Sequence, residues 1–109
     1  MAVNQDLVRR MRAHLGPTPG LFEKAMFGGV GFILHGNMAV GAYGQDLIVR
    51  VGPLQAADAL AQPDVRVFDI TGRPMKGWIM VGPAGYASDD ALAAWIAQGI
   101  TFAQSLPPK

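Results

Sequence analysis

Cysteine is absent from the 109 residues of this sequence. Without thiols the chain has no disulfide bridge, no zinc knuckle, no iron–sulfur cluster and no cysteine nucleophile. The absence fits a reducing compartment. We therefore expect the chain to fold on its hydrophobic core alone, with neither a metal nor a cofactor.

Long apolar runs and an excess of one charge are lacking as well. The longest apolar stretches have the length of a strand and are broken by glycine, far short of the ~20 residues of a membrane helix. Residues 1–6 contain no apolar segment of a secretory signal, so we expect a cytoplasmic protein without a membrane partner. Nine Lys and Arg residues against eight Asp and Glu give a net charge of +1. Obligate nucleic-acid-binding proteins usually carry a large basic excess, which this chain does not have.

Apolar residues, in contrast, are plentiful enough to build a core. Half of the residues are apolar and 16% are charged, a balance typical of a folded globular domain. The length is that of one ordinary domain, and no repeat, low-complexity segment or linker divides it. We therefore predict a single domain over residues 1–109.

Apolar residues at helical spacing predict three helices. The first covers residues 4–15, with Asn4 as its N-cap. A second, weaker helix opens at Gly52-Pro53, because proline suits the first helical position. The third follows the N-cap Ser88 and ends at Pro107-Pro108. The apolar side of the second helix is predicted to consist of Leu54, Ala57, Leu60 and Ala61.

Short runs rich in β-branched and aromatic residues predict strands between the helices. Their separators contain Gly and Asn, which accept positive φ at little cost and therefore favour hairpins. The predicted strands are residues 24–27, 30–34, 38–43, 47–51, 65–70 and 76–81. The element order α-β-β-β-β-α-β-β-α predicts an α+β fold, a two-layer sandwich with an antiparallel sheet and helices on one face.

Several of these strands are apolar on both faces. Strict alternation puts Met38, Val40 and Ala42 on one face of the third strand, and a layer of three helices covers only one face of the sheet. The open sheet face then either pairs with a second copy, as a homodimer, or is covered by the C-terminal residues. The sequence leaves these two alternatives open.

Five segments carry, in order, motifs of a known family. Residues 24–31 read Lys-Ala-Met-Phe-Gly-Gly-Val-Gly and are similar to a K-x-M-F-G-G-x-G opening. The remaining segments are residues 36–39, 47–51 and 72–78 and the helix with Asp90, Leu92 and Trp95. Together they resemble the TfoX N-terminal domain over about residues 3–106. The motif residues proposed as structural are Met26, Phe27, Gly28, Gly29, Gly31, Gly36 and Met38.

The resemblance implies a two-layer α/β fold like that of type III secretion chaperones. It also implies a link to bacterial TfoX/Sxy proteins, which regulate natural competence. Those regulators carry a second, helical C-terminal domain, whereas this sequence ends at Lys109, and Ala39 stands where the family has an aromatic residue. The family's N-terminal domain has no established catalytic residues, so the resemblance carries none over.

The residue types that catalysis needs do not come together in the sequence. The segment 26–31 fits neither phosphate-binding glycine pattern and leads into a strand, so we interpret it as a tight turn with close backbone packing. His14 and His35 have no spaced acidic partner and no serine elbow. Asp89 and Asp90 face different directions on their helix and already favour its positive end. We therefore predict no catalytic residue, no metal site and no enzyme activity.

The first group of candidate binding residues lies on the first helix. Arg9, Arg10 and Arg12 are a candidate nucleic-acid patch, since arginines contact phosphates. The simpler interpretation is a solvated helix face.

The second group lies on the sheet and its last hairpin. Arg50 and Arg66 alternate with apolar neighbours, so they are expected to emerge from one sheet face. Arg73 and Lys76 flank the last hairpin beside Trp78. Cations near an aromatic ring suit an acidic peptide, a nucleotide or a phosphate. The alternative is a packed Trp78 with edge-strand charges that discourage aggregation.

The leading hypothesis is a non-enzymatic regulatory or protein-interaction module. One alternative is a weak nucleic-acid-binding protein that uses Arg9, Arg10 and Arg12 or the hairpin of Arg73 and Lys76. Another is a small-ligand-binding domain or enzyme that uses the sheet face near Arg50, Arg66 and Trp78.

Overall fold

The computed structural model describes residues 3–26, 28–69 and 72–109. The helices are α1 (Gln5–Leu15), α2 (Ala56–Leu60) and α3 (Asp89–Gln104), and a 3-10 turn covers Pro83–Tyr86. The strands are β1 (Leu21–Met26), β2 (Gly29–Leu34), β3 (Asn37–Tyr43), β4 (Asp46–Arg50), β5 (Val65–Val67) and β6 (Trp78–Val81). The predicted order of helices and strands is confirmed. Within the described ranges, no helix is both long and apolar enough to cross a bilayer.

The six strands form one antiparallel sheet in the order β1-β2-β3-β4-β6-β5. All three helices pack on one face, so the predicted two-layer α+β fold is confirmed. The main core lies between the layers. It joins apolar side chains of alternate strand positions to α1 and α3, among them Val40, Leu47, Val49, Ile79, Leu7, Met11, Leu92 and Ile96.

The two long helices begin as the sequence predicts. The Asn4 side-chain oxygen accepts hydrogen bonds from the backbone N–H groups of Asp6 and Leu7, at 3.0 and 3.1 Å. Ser88 Oγ accepts one from Ala91 at 3.1 Å. These caps satisfy amide groups that have no partner inside the helix.

The start of α2 differs from the prediction. Both backbone N–H groups of Val51 and Gly52 donate to the carbonyl of Gly77, at 2.9 and 3.0 Å. Gly52 has φ +88°, a left-handed conformation that glycine adopts readily. The chain therefore turns here, and α2 begins only at Ala56. Leu54 lies in that turn, 93% exposed, and does not form part of the apolar side of α2.

The strand predicted over residues 65–70 ends at Val67. Phe68 leaves the ladder and packs on Ile48 and Met80, on the sheet face opposite the helices. Its ring lies 5.7 Å from that of Trp78, and its carbonyl accepts a hydrogen bond from the Met75 amide at 2.9 Å. The end of the predicted strand, Ile70, falls outside the described residues. The chain itself thus covers the middle of the open sheet face.

The C-terminal residues lie elsewhere, at the β2–β3 hairpin. The Asn37 side chain donates to the Pro107 carbonyl at 3.0 Å, and the Lys109 amide donates to the His35 carbonyl at 2.8 Å. Of the two alternatives for the open sheet face, coverage by the C-terminal residues is therefore wrong.

A bulge in β3 overturns the predicted alternation of that strand. Phe32 pairs with Val40 and Ile33 with Met38, so Ala39 is an extra residue. Ala39 and Val40 both face the helices, whereas Met38 packs on the opposite face. One inserted residue shifts every side chain before it to the other face.

Candidate functional site

A groove of about 800 Å³ lies between α3 and the segment that joins β4 to α2. Residues 51–55 form one wall, and the other consists of Ser105, the C-cap of α3, and of the α3 residues Ala94, Ala97, Gln98, Thr101 and Phe102. We call it the α3 groove. Its shape depends on Gly52, because a Cβ atom there would lie 2.4 Å from Phe102 Cε1. The glycine lets the wall bend closely around the Phe102 ring.

The α3 groove is lined mainly by apolar side chains, and none of its lining residues is charged. Four polar side chains, Gln55, Gln98, Thr101 and Ser105, accompany the apolar residues, and none of the lining residues is ionisable. Leu54 stands on the wall with 93% of its surface exposed. The groove therefore offers contact area and hydrogen-bonding amides, with no lining group to act as an acid or base.

Arg50 places a positive charge at one end of this groove. Its guanidinium carbon lies 5.1 Å from the centroid of the Trp78 ring and 5.4 Å from that of Phe102. Arg50 and Trp78 are direct partners across β4 and β6. The structure thus brings together two residues of the predicted sheet group, and adds Phe102, which the sequence analysis did not associate with them.

The other members of that group lie apart from Arg50. Arg66 donates to the two carboxylate oxygens of Asp46, at 3.4 and 2.5 Å. This hydrogen bonding, with the opposite charge, raises the pKa of Arg66 above its ordinary value. Arg73 and Lys76 are exposed in the loop before β6, and neither enters an ion pair among the described residues.

The three arginines of α1 are each held by a carboxylate. Arg9 pairs with Asp6. Arg10 donates to Asp89 at 3.1 Å and to the carbonyls of Tyr86 and Ala87. Their carboxylate partners offset the positive charge of this helix face.

The third arginine, Arg12, binds Glu23 of β1. Its Nε and Nη2 atoms donate to the two oxygens of Glu23 at 2.7 and 2.6 Å. The Arg12 hydrogen bonds hold the pKa of Glu23 below its ordinary value. This ion pair links the edge strand β1 to α1.

The two histidines occupy separate places. His14 lies 3.9 Å from Asp89, a carboxylate that also binds Arg10. His35 is exposed in the β2–β3 turn. Over residues 3–26, 28–69 and 72–109, no three His, Asp or Glu side chains form a group that could hold a metal ion.

One comparison with known proteins decides the family. The family model of the TfoX N-terminal domain matches residues 13–103 of the 109. The chain belongs to the TfoX N-terminal domain family. No curated protein and no solved structure matches the chain.

In this TfoX N-terminal domain, Gly31 of the glycine-rich motif and Gly41 of β3 make room for methionine side chains on the open sheet face. A Cβ atom on Gly31 would lie 3.0 Å from Met26 Sδ, and one on Gly41 would lie 2.7 Å from Met38 Cε. A Cβ atom on Gly29 would lie 2.2 Å from the Ala42 carbonyl oxygen. Each of these glycines thus lies against a neighbour that leaves little or no room for a side chain.

The remaining motif positions are turns. Gly28 and Gly36 have φ values of +77° and +85°, which favour glycine, and a Cβ on Gly36 would lie 2.6 Å from Lys109 Cβ. Phe27 lies outside the described residues.

The α3 groove of this TfoX N-terminal domain was missed in the sequence analysis. Its walls are separated by about forty residues in the chain, so no local pattern connects them. One signal was present: Leu54 directly follows a Gly-Pro pair, which is turn chemistry, and an apolar residue in a turn is often exposed.

Proposed function

We propose that this TfoX N-terminal domain is a non-enzymatic regulatory module that binds a protein partner through the α3 groove. The observation that carries the proposal is an uncharged groove of about 800 Å³ beside a leucine that is 93% exposed. An exposed apolar residue next to an apolar concavity is typical of an interaction site.

The energetics favour an apolar partner. Burying a leucine side chain fully contributes about 2 kcal/mol, so Leu54 is the natural anchor of a contact. The other wall of the groove is the exposed side of α3 from Ala94 to Phe102, continued by the C-cap residue Ser105. Amphipathic helices bind such surfaces through apolar residues at helical spacing.

The charged side chains support a binding role more than a chemical one. Asp46, Glu23 and Asp89 each form an ion pair with an arginine. Carboxylates in such ion pairs link different elements of the fold. Regulation would then come from whether the groove is occupied.

A selection with displayed helices tests the proposal. A library of 16-residue amphipathic helices is selected on the immobilised domain at low density, and each enriched helix is measured again on the variant Ala97→Glu. We expect enriched helices to bind the wild-type domain and to bind the variant with an affinity lower by about tenfold or more, because the introduced carboxylate has no partner in the apolar groove.

The control is Phe22→Glu, which puts the same charge on the exposed edge strand β1, outside the groove. Two results would contradict the proposal. One is a selection that enriches no helix, and the other is an equal loss of affinity on both variants.

A further inference from the structure

We infer that the occupant of the α3 groove is a second copy of this chain, with the two α3 helices antiparallel and each Leu54 seated in the other copy's groove. The inference rests on the proposed function and names its partner. It places the dimer contact on the helix layer, away from the open sheet face.

A projection and a recess lie side by side on this surface. Leu54 projects from the wall of the groove that it borders. A two-fold axis through the α3 wall of the groove, at Gln98, brings the projection of each copy to the recess of the other, so one patch is complementary to itself. No second surface of the molecule is needed to complete the contact.

The middle of the groove carries no charge that would oppose a two-fold contact. In a two-fold interface, residues near the axis meet their own copies, and a charged residue there would repel itself. The middle of the α3 groove is formed by Ala97, Gln98 and Thr101, all uncharged. Gln98 on the axis meets another glutamine, whose amide both donates and accepts hydrogen bonds.

The two ends of the groove carry opposite charges. Asp90 is exposed in the first turn of α3, four residues before Ala94 and therefore on the same side of the helix. Asp90 enters none of the ion pairs formed among the described residues. Arg50 lies at the other end, against Phe102, about 18 Å along the helix from Asp90.

Antiparallel packing brings these opposite ends together twice. Asp90 of each copy approaches the end that carries Arg50 in the other copy, so negative charge meets positive charge at both ends of the contact. Parallel packing would instead bring like charges together. The charge distribution therefore selects the antiparallel arrangement, and the small side chains of Ala94 and Ala97 let the helices approach closely.

The open sheet face offers less to a second copy. Phe68 already packs over Ile48 and Met80 at its centre. Among the described residues, the most exposed large apolar residue on that side is Phe22 of the edge strand β1, 68% exposed, compared with 38% for Met75 beside Phe68. Phe22 and Leu54 thus mark two alternative dimer surfaces, and a matched pair of variants distinguishes them.

Sedimentation equilibrium of the purified chain over a range of concentrations tests the inference. We expect a monomer–dimer equilibrium whose dissociation constant rises about tenfold or more in Leu54→Asp and in Ala97→Glu, as for central residues of an interface. The matched variant Phe22→Asp leaves the constant unchanged. All three positions are exposed, so thermal unfolding should show folded variants.

Single cysteines test the axis directly, since the chain has no cysteine of its own. Gln98→Cys is expected to form an intermolecular disulfide on mild oxidation, whereas Ala13→Cys, exposed on α1 and outside the groove, is not. Two cysteines link only when their Cα atoms come within about 7 Å.

Three results would overturn the inference: a monomer at every concentration, a dimer that Phe22→Asp dissociates and Leu54→Asp does not, or equal cross-linking of the two cysteine variants. None of them bears on the helix selection described above, so the proposed function can survive the loss of this inference. Conversely, a dimer through the groove without any selected helix would restrict the site to self-association.

Discussion

Arginine side chains link elements that are far apart in the sequence. Spacing along one helix predicts that Asp6 pairs with Arg9 or with Arg10, and of these two pairs the structure contains Asp6–Arg9. It gives no sign of Arg12–Glu23 or Arg66–Asp46, which join α1 to β1 and β5 to β4. Such pairs depend on which elements become neighbours, and a single sequence does not encode that locally. The pairing of the α1 arginines could therefore be predicted only in part.

The Arg12–Glu23 pair makes a prediction about pH. Arg12 holds the pKa of Glu23 below its ordinary value of 4.5. Because the folded pKa is the lower one, the stabilisation is fully present above pH 4.5 and is lost as the pH falls through the folded value. In Arg12→Gln, we expect the pKa of Glu23 to rise towards its ordinary value. We also expect the free energy of unfolding to decrease less as the pH falls. A carboxyl ¹³C titration by NMR measures the pKa, and Arg9→Gln is the control that leaves Glu23 unchanged. An unaltered Glu23 pKa in Arg12→Gln would contradict the assignment.

Helices and strands could be predicted in number, type and order because their patterns are local. The predicted boundaries were wrong where residues distant in the chain make contacts. The carbonyl of Gly77 accepts hydrogen bonds from Val51 and Gly52, so the chain turns there and α2 begins later than predicted. Phe68 packs on the opposite face of the sheet, so β5 ends earlier than predicted. The extra Ala39 in β3 is likewise invisible to a count of alternating residues.

The contact between α3 and that bulge makes a prediction about Gly99. A Cβ atom on Gly99 would lie 2.5 Å from the Ala39 carbonyl oxygen and 2.6 Å from Val40 Cγ1. Alanine favours a helix over glycine by about 1 kcal/mol, but overpacking a tight contact costs about 1–3 kcal/mol. We therefore expect Gly99→Ala to lower the free energy of unfolding in urea denaturation, despite its better helix propensity. Gln104→Ala, at an exposed position of the same helix outside the α3 groove, is the control and should change stability by less than about 0.5 kcal/mol. A Gly99→Ala variant more stable than the wild type would show that α3 does not approach β3 this closely.

At the scale of the whole molecule, one sheet carries apolar clusters on both of its faces. The largest lies under the helices, and a smaller one lies on the opposite face around Phe68. The sequence predicts that both faces are apolar, but which segment covers the second face is decided by tertiary packing. The α3 groove has the same origin, because its two walls are distant in the chain and come together only in the tertiary structure.

The second cluster predicts that Phe68 stabilises the fold as a core residue does, although it lies in a connecting segment. Phe68 is 5% exposed and contacts Ile48, Met80 and Trp78. Truncating a buried phenylalanine costs about 3–5 kcal/mol, so Phe68→Ala should lower the free energy of unfolding by an amount in that range and uncover apolar surface that binds a fluorescent dye. Phe22→Ala removes the same atoms from a ring that is 68% exposed, and it should cost less than about 0.5 kcal/mol. Equal losses in the two variants would mean that the segment after β5 does not pack on the sheet, and the open sheet face would again be free for a second copy.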